Sequence, residues 1–289
     1  MKKIFVYSAV LMLFSFASCD EGSKYDPDAG GFETPRENLL LTSNSLTFAA
    51  AEATRQVTVI TQSENIELSS NQPWCRPAVI TTADGRAVTV TVDNNPQLEG
   101  NREATVTVTA FGINKTLAVT QLPPQEEFLP KDVWRIVDFS TEETVGEGSN
   151  GRAAQAIDGN EASYWHTRWM GGNVSGQYPH WIIIDLRHEV TPSQLVSFKR
   201  GGTANNGPSQ IMVEGSIDLQ TWHDFGTFDL VANQPAGQIC ELENSQKVRA
   251  IRYSVLASPS GHAQVRNIEV RALLIPGTTP LPPLPVAER

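Results

Sequence analysis

Positive charge is in short supply: 22 Lys and Arg face 32 Asp and Glu across 289 residues, a formal net charge of −10. No basic stripe gathers the few cations. That disfavours nucleic acid or an anionic membrane surface as the bound partner, because either needs clustered Lys and Arg. Cysteine is scarcer still, at three. One is Cys19; the other two, Cys75 and Cys240, fall in separate stretches of strand pattern, so no disulfide framework is expected and both read as small core residues. The five histidines, His166, His180, His188, His223 and His262, match no metal-binding spacing, and no serine or cysteine stands in a nucleophile setting. Asp158 and Asp185 sit in a turn and at a strand end, where structural roles explain them better than the paired acids of glycoside hydrolysis. Helical periodicity is nearly missing, and the one long apolar run, at 4–16, is too short for a permanent membrane-spanning helix.

What is present is Thr, Val, Gly and Pro in excess over helix formers, with 40% hydrophobic and 19% charged residues. These are ordinary globular values, and they predict an all-β protein. The length fits two domains, each able to bury its own core.

Lys2 and Lys3 precede the 4–16 run, which ends in small residues before Cys19, so 1–19 reads as a signal peptide. The sequence FASC at 16–19 resembles a bacterial lipobox, which implies that Cys19 is the lipid-modified first residue of a mature lipoprotein. From 20 to 38 the composition turns to Asp, Glu, Gly, Pro and Ser, expected to form a flexible tether. Between 39 and 122, period-two runs such as QVTVIT at 56–61, AVTVTV at 87–92 and ATVTVTA at 104–110 predict the short strands of an Ig-like sandwich. Trp74, between an Asn-Gln-Pro turn and a strand, reads as core. The order of Trp74, Asn94, Arg102 opening a TVTVT strand, Gly112 and AVTQ at 118–121 resembles the BACON domain. That family is found mainly on the surface of glycan-foraging Bacteroidetes-type bacteria, and the resemblance implies a spacer.

A Pro-rich linker at 123–129 leads to a second domain at 130–273, whose strands WIIIDL at 181–186, QIMVEGS at 210–216 and VRAIRYSV at 248–255 predict a jelly-roll sandwich with its site on loops at one end. The tail at 274–289 is Pro-rich and without core pattern, so it is expected to be disordered or polyproline.

The densest chemistry lies in AIDGNEASYWHTRW at 156–169. The oxygens of Asp158, Asn160 and Ser163 can converge on a hard cation or on neighbouring amides. Trp165 and Trp181 read as core. His166, Arg168 and Trp169 offer flat faces beside rigid donors, as a neutral, hydroxyl-rich ligand such as a sugar requires. Arg200 follows a strand, and Asn206 lies in a Gly-rich loop.

The AIDGN turn, the SYW after it, PHWIIIDL at 179–186, FKR at 198–200, Asn206-Gly207, the S-x-D-x-x-x-W run at 216–222 and IRYSV at 251–255 resemble, in this order, the discoidin or factor V/VIII type C domains. The WHTRW and PHWI elements look most like carbohydrate-binding module family 32. The resemblance implies a galactose-binding-like jelly roll and a structural calcium ion. Its oxygens would come from Asp158, Asn160 and Ser163 with the backbone of Ala156 and Arg266, and Asn267 stands where the family often has Glu. It also implies a ligand site of His166, Arg168, Trp169, Arg200, Asn206 and His262. The resulting expectation is a non-catalytic glycan-binding lipoprotein on the outer-membrane surface, with other glycan-processing surface proteins as partners. The alternative is an adhesion or assembly protein that uses the same loops on a protein or lipid surface, favoured if Trp169 and Met170 form an exposed apolar spike.

Overall fold

The computed structural model describes residues 37–286 except 84, 171–176 and 203–205. Cys19 and nearly all of the 20–38 tether lie outside the described residues. The protein is all-β.

The first sandwich is built from β1 (Leu40–Leu41), β2 (Ser45–Phe48), β3 (Ala53–Ile60), β4 (Glu67–Ser70), β5 (Cys75–Thr82), β6 (Gly85–Val92), β7 (Arg102–Ala110) and β8 (Ile113–Gln121). One sheet has the order β1-β3-β6-β5 and the other β2-β8-β7-β4. In β7 the alternation is clean: Ala104, Val106, Val108 and Ala110 turn inward, while Glu103 and Thr105 face water. Each buried valine contributes about 2 kcal/mol of transfer free energy. Trp74 packs partly buried against this core, with the Arg102 guanidinium 4.1 Å above its ring. Gln121, fully buried, accepts from Arg102 Nε at 2.8 Å and donates to the carbonyls of Ala50 and Asp93 at 3.0 Å each, tying both sheets together.

The second sandwich follows, with β9 (Glu126–Phe128), β10 (Arg135–Phe139), a single 3-10 turn at Ala153–Ala156, β11 (Trp165–His166), β12 (His180–Val190), β13 (Pro192–Lys199), β14 (Gln210–Ser216), β15 (His223–Asp229), β16 (Gln238–Glu241), β17 (Val248–Ala257) and β18 (Gln264–Leu273). Its sheets run β10-β12-β17-β14-β15 and β11-β18-β13-β16, the second extended by β9 alongside β18. The predicted linker at 123–129 therefore contributes a strand. Trp165, Ile182, Ile184, Leu186, Leu195, Ile211 and Tyr253 fill the core between the sheets. Cys75 and Cys240 are free and buried, one in each core, as expected.

The continuous apolar run of β12 is explained by cover on both faces. Ile182, Ile184 and Leu186 face the core, whereas Ile183 and the half-buried Trp181 join Val137, Ala250, Leu219 and Trp222 on the outer face. Leu284 of the tail lies on that outer cluster. Disorder in the tail is therefore corrected through residue 286. Asp185, fully buried on the outer face, is gripped by Arg249 at 2.9 and 3.0 Å. It also accepts the backbone N–H of Leu284 at 2.9 Å. Leu281 N–H donates to the Arg187 carbonyl at 2.7 Å, and Arg249 reaches the Pro282 carbonyl. A proline-rich run lacks a burial pattern of its own, but the sheet supplies the partners its sequence does not announce.

The ends of β11, β13 and β17 and the start of β18 meet at one edge, since Lys199 pairs with Val265 and, on the other side of β18, Trp165 pairs with Val265 and His166 with Gln264. The loops there carry the chemistry.

Candidate functional site

Glu147 stands at the centre of that edge, in the loop between β10 and the 3-10 turn. Its carboxylate receives Nδ1 of His166 at 2.6 Å, Nε1–H of Trp169 at 3.1 Å and the hydroxyl of Tyr164. Arg200 adds a looser ion pair at 3.8 Å and lays its guanidinium 4.3 Å over the Tyr164 ring. Burial alone would raise the Glu147 carboxyl. The donors from Tyr164, His166 and Trp169 outweigh it and hold the group ionised, below the usual range.

A second buried acid, Glu143, shapes the loop that carries Glu147. It accepts backbone N–H groups of Val145, Gly146, Trp169 and Met170 at 2.8 to 3.0 Å. Burial opposes ionisation, but these four donors bring its pKa to about 2. The two ends of the site are thereby joined through one carboxylate. Gly151, at φ +97°, leaves room for the Glu143 carbonyl that a Cβ would approach to 2.1 Å, and Gly146 leaves room for the Trp169 indole at 2.5 Å.

His166 is 2% exposed, set beneath the more open residues of the site. From there it orients His262. Burial lowers its pKa to about 4 against the opposing pull of Glu147, leaving it neutral at pH 7. An ionised Glu147 only accepts, so the His166 proton sits on Nδ1, and the bare Nε2 accepts from Nδ1–H of His262 at 2.8 Å. That leaves Nε2 of His262 as an acceptor for an incoming donor. Gln264 Nε2 also approaches His166 Nδ1, at 3.3 Å, but a nitrogen already donating at 2.6 Å cannot accept there; the shorter, charge-assisted contact governs.

The other expected ligand residues divide. Trp169 and His262 are half-buried, their ring centroids 6.3 Å apart and tilted by 33°. Arg200 is nearly half exposed. Asn206 donates from Nδ2 to Gln264 Oε1 at 2.6 Å, and its Oδ1 is buried without a partner among the described residues. Arg168 is exposed, and its Nε donates to the Met170 carbonyl at 3.2 Å. Trp165 is core, as expected, with its indole N–H on the Thr141 carbonyl at 2.9 Å.

Glu147, Glu143 and Gln264 were missed by sequence reasoning. The TEETVGEG run around the two acids reads as an ordinary polar loop. The one local signal was the double glycine spacing, Gly146 and Gly148, which lets that loop fold back on the aromatic stretch.

The residues implied for calcium do not fit a metal well. Asp158 Oδ1 accepts from the Asn160 N–H at 2.9 Å and Oδ2 from the Ser163 hydroxyl at 2.6 Å, while Asn160 Oδ1 accepts the Ala162 N–H at 3.0 Å. These oxygens cap their own turn. Ala156 is buried beneath it, Arg266 and Asn267 are half-buried on β18, and Asn267 Oδ1 faces the Lys131 ammonium. Among the described residues no group of three or more His, Cys, Asp or Glu gathers to hold an ion.

Residues 137–269, which include every part of this cluster, match the F5/8 type C domain family model. Residues 64–122 match the BACON model. The first sandwich is thus similar to the BACON domain and the second to the F5/8 type C domain. Over 137 residues the chain is 33% identical to a sialidase of Micromonospora viridifaciens, covering 47% of this chain and 21% of that protein. The chain thus spans about a fifth of the length of that curated relative. Among solved structures, the C-terminal domain of a chitobiase from Bacteroides fragilis is 36% identical, with TM-score 0.47 over 50% of this chain and 97% of that one. A family 32 carbohydrate-binding module from Clostridium perfringens, in complex with galactose, is 18% identical, with TM-score 0.44 over 51% of this chain and 99% of that one.

Proposed function

We propose that the F5/8 type C domain captures a neutral glycan at its loop edge without turning it over, and that Cys19 anchors the chain to the outer surface of a bacterial outer membrane. Under this reading the BACON domain is the spacer, and glycan-processing surface proteins are its partners. The observation that carries the binding reading is the Glu147 cluster. One ionised carboxylate fixes the Trp169 edge, the His166–His262 proton order and the Arg200 head, so flat faces, an acceptor and a cationic donor stand ready before any ligand arrives. Paired hydroxyls and the apolar face of a sugar ring suit that combination. A shallow site of this kind binds weakly, roughly micromolar to millimolar, and many lipid-anchored copies add avidity.

The adhesion reading keeps one supporting observation, the 39% exposure of Met170 beside Trp169. A glycan array probed with residues 20–289 separates the two. Capture of a defined glycan that is lost in both Trp169→Ala and Arg200→Ala supports the first reading; an array without signal removes it.

A further inference from the structure

The space between the 156–163 turn and β18 contains cations supplied by the chain itself. Lys131, half-buried just before β10, donates its ammonium to Oδ1 of Asn267, and Nδ2 of Asn267 donates in turn to Glu269 Oε1 at 3.0 Å. Burial lowers the Lys131 pKa, opposed by the nearby carboxylates of Glu269 and Asp158. Arg266, next to Asn267, stands 3.9 Å from Glu161 Oε2, in the loop that the turn opens, and 5.4 Å over the Phe198 ring. Lys131 and Arg266 thus share this gap with the carboxylates of Asp158 and Glu161 from the turn side and Glu269 from β18.

Position 267, where the resembled family often has Glu, holds a neutral amide whose oxygen points at an ammonium. The two features belong together. A carboxylate at 267 would suit a divalent ion, whereas an amide oxygen beside acidic neighbours suits a singly charged group with three donors. A divalent ion sharing that oxygen would lie against the like charge of Lys131. The side of the turn facing inward offers little else, since Asp158 and Asn160 direct their oxygens to Ser163, Asn160 N–H and Ala162 N–H.

We infer that Lys131 is the built-in cation of this fastener, drawing the Asp158 turn and the Asn267–Glu269 segment of β18 together, so that the F5/8 type C domain closes this edge without calcium.

Thermal unfolding of residues 20–289 tests this. A site of ~0.1–1 mM affinity would raise Tm by several degrees on going from chelator to about 10 mM calcium. The expected shift for the unaltered protein is less than about 1 °C, against a loss of about 4 °C for Lys131→Met in either condition. In Lys131→Met/Asn267→Glu, calcium is expected to raise Tm by about 4 °C or more, because the cation is gone and the carboxylate restored. A clear rise of Tm with calcium in the unaltered protein overturns the inference, and it does so whether or not the variants fold. An unchanged Tm in Lys131→Met overturns it as well, because the lysine would then be fastening nothing.

Discussion

Oε1 of Glu147 lies 2.6 Å from Nδ1 of His166, and this single contact decides which nitrogen of His262 is free to meet a ligand. An amide in place of the carboxylate can present an N–H to the same nitrogen and reverse the proton order. Glu147→Gln is therefore expected to weaken glycan binding about tenfold or more while changing Tm far less than a core substitution does. Titration calorimetry with a glycan identified on the array, paired with thermal unfolding, reads both. Equal affinity in the two proteins would mean that the relay has no bearing on the ligand.

Trp169 rests its indole against Gly146, with no room for a methyl group between them. Gly146→Ala displaces the ring without removing it. Affinity is expected to fall about tenfold, approaching the loss in Trp169→Ala, as happens when a central aromatic contact is moved out of register. Intrinsic tryptophan fluorescence should shift in the same variant.

Gly151 poses a harsher constraint, because its φ is +97° and a Cβ would come within 2.1 Å of the Glu143 carbonyl. Gly151→Ala should cost about 3 kcal/mol in chemical denaturation, combining backbone strain with a broken Glu143 loop. A cost below about 1 kcal/mol would show that the loop slides aside freely.

The neutral, buried His166 makes stability depend on pH. Its folded pKa, about 4, lies below the ordinary value near 6.5, so between these values the unfolded chain binds the extra proton. Stability is then complete above about pH 6.5 and falls as the solution is acidified toward 4, by at most about 3 kcal/mol for this group. His180, His188 and His262 are shifted the same way by burial and add to the slope. Glu143, at about 2, extends the loss below pH 4.5 as its carboxylate is protonated. Unfolding measured from pH 4 to 7.5 should show this fall, and His166→Asn should flatten part of it.

On the outer sheet face, Arg249 is the only charged side chain among the described contacts that neutralises the buried Asp185. Arg249→Met strands that charge and is expected to cost about 3 kcal/mol or more, whereas Leu284→Ala, which only thins the cover over Val137, Ile183 and Ala250, should cost about 1 to 2. Urea unfolding of each variant separates the two contributions. A larger effect from Leu284→Ala would mean that apolar cover, not the ion pair, secures the tail.

The fold was legible because its strands alternate so regularly. In β7 and β8 period two alone assigns the inward face, and the family motifs fixed the order of the second sandwich. Legibility stopped where contacts join distant loops. Glu147 meets Tyr164, His166, Trp169 and Arg200 across 17 or more positions, and nothing near it in sequence announces that meeting. His166 was recognised as part of the site but assigned to its surface, since a motif carries identity and not depth. The docking of the tail went unread for a related reason: proline-rich sequence predicts no self-association, yet backbone carbonyls and one leucine suffice when Asp185, Arg187 and Arg249 are waiting on a finished sheet.

Strand β9 enters the second sandwich antiparallel to β18 at Leu273, while the ligand edge lies beyond Gln264 at the other end of that same strand. If the chain is anchored through its N-terminal side as proposed, a bound glycan pulled away from the anchor would load β9 along its length. Its ladder hydrogen bonds would resist together in shear, instead of opening one at a time as in a peeled hairpin. Under the proposed reading of an anchored receptor, β9 is where such a load enters the domain, at the end of β18 farthest from the ligand edge.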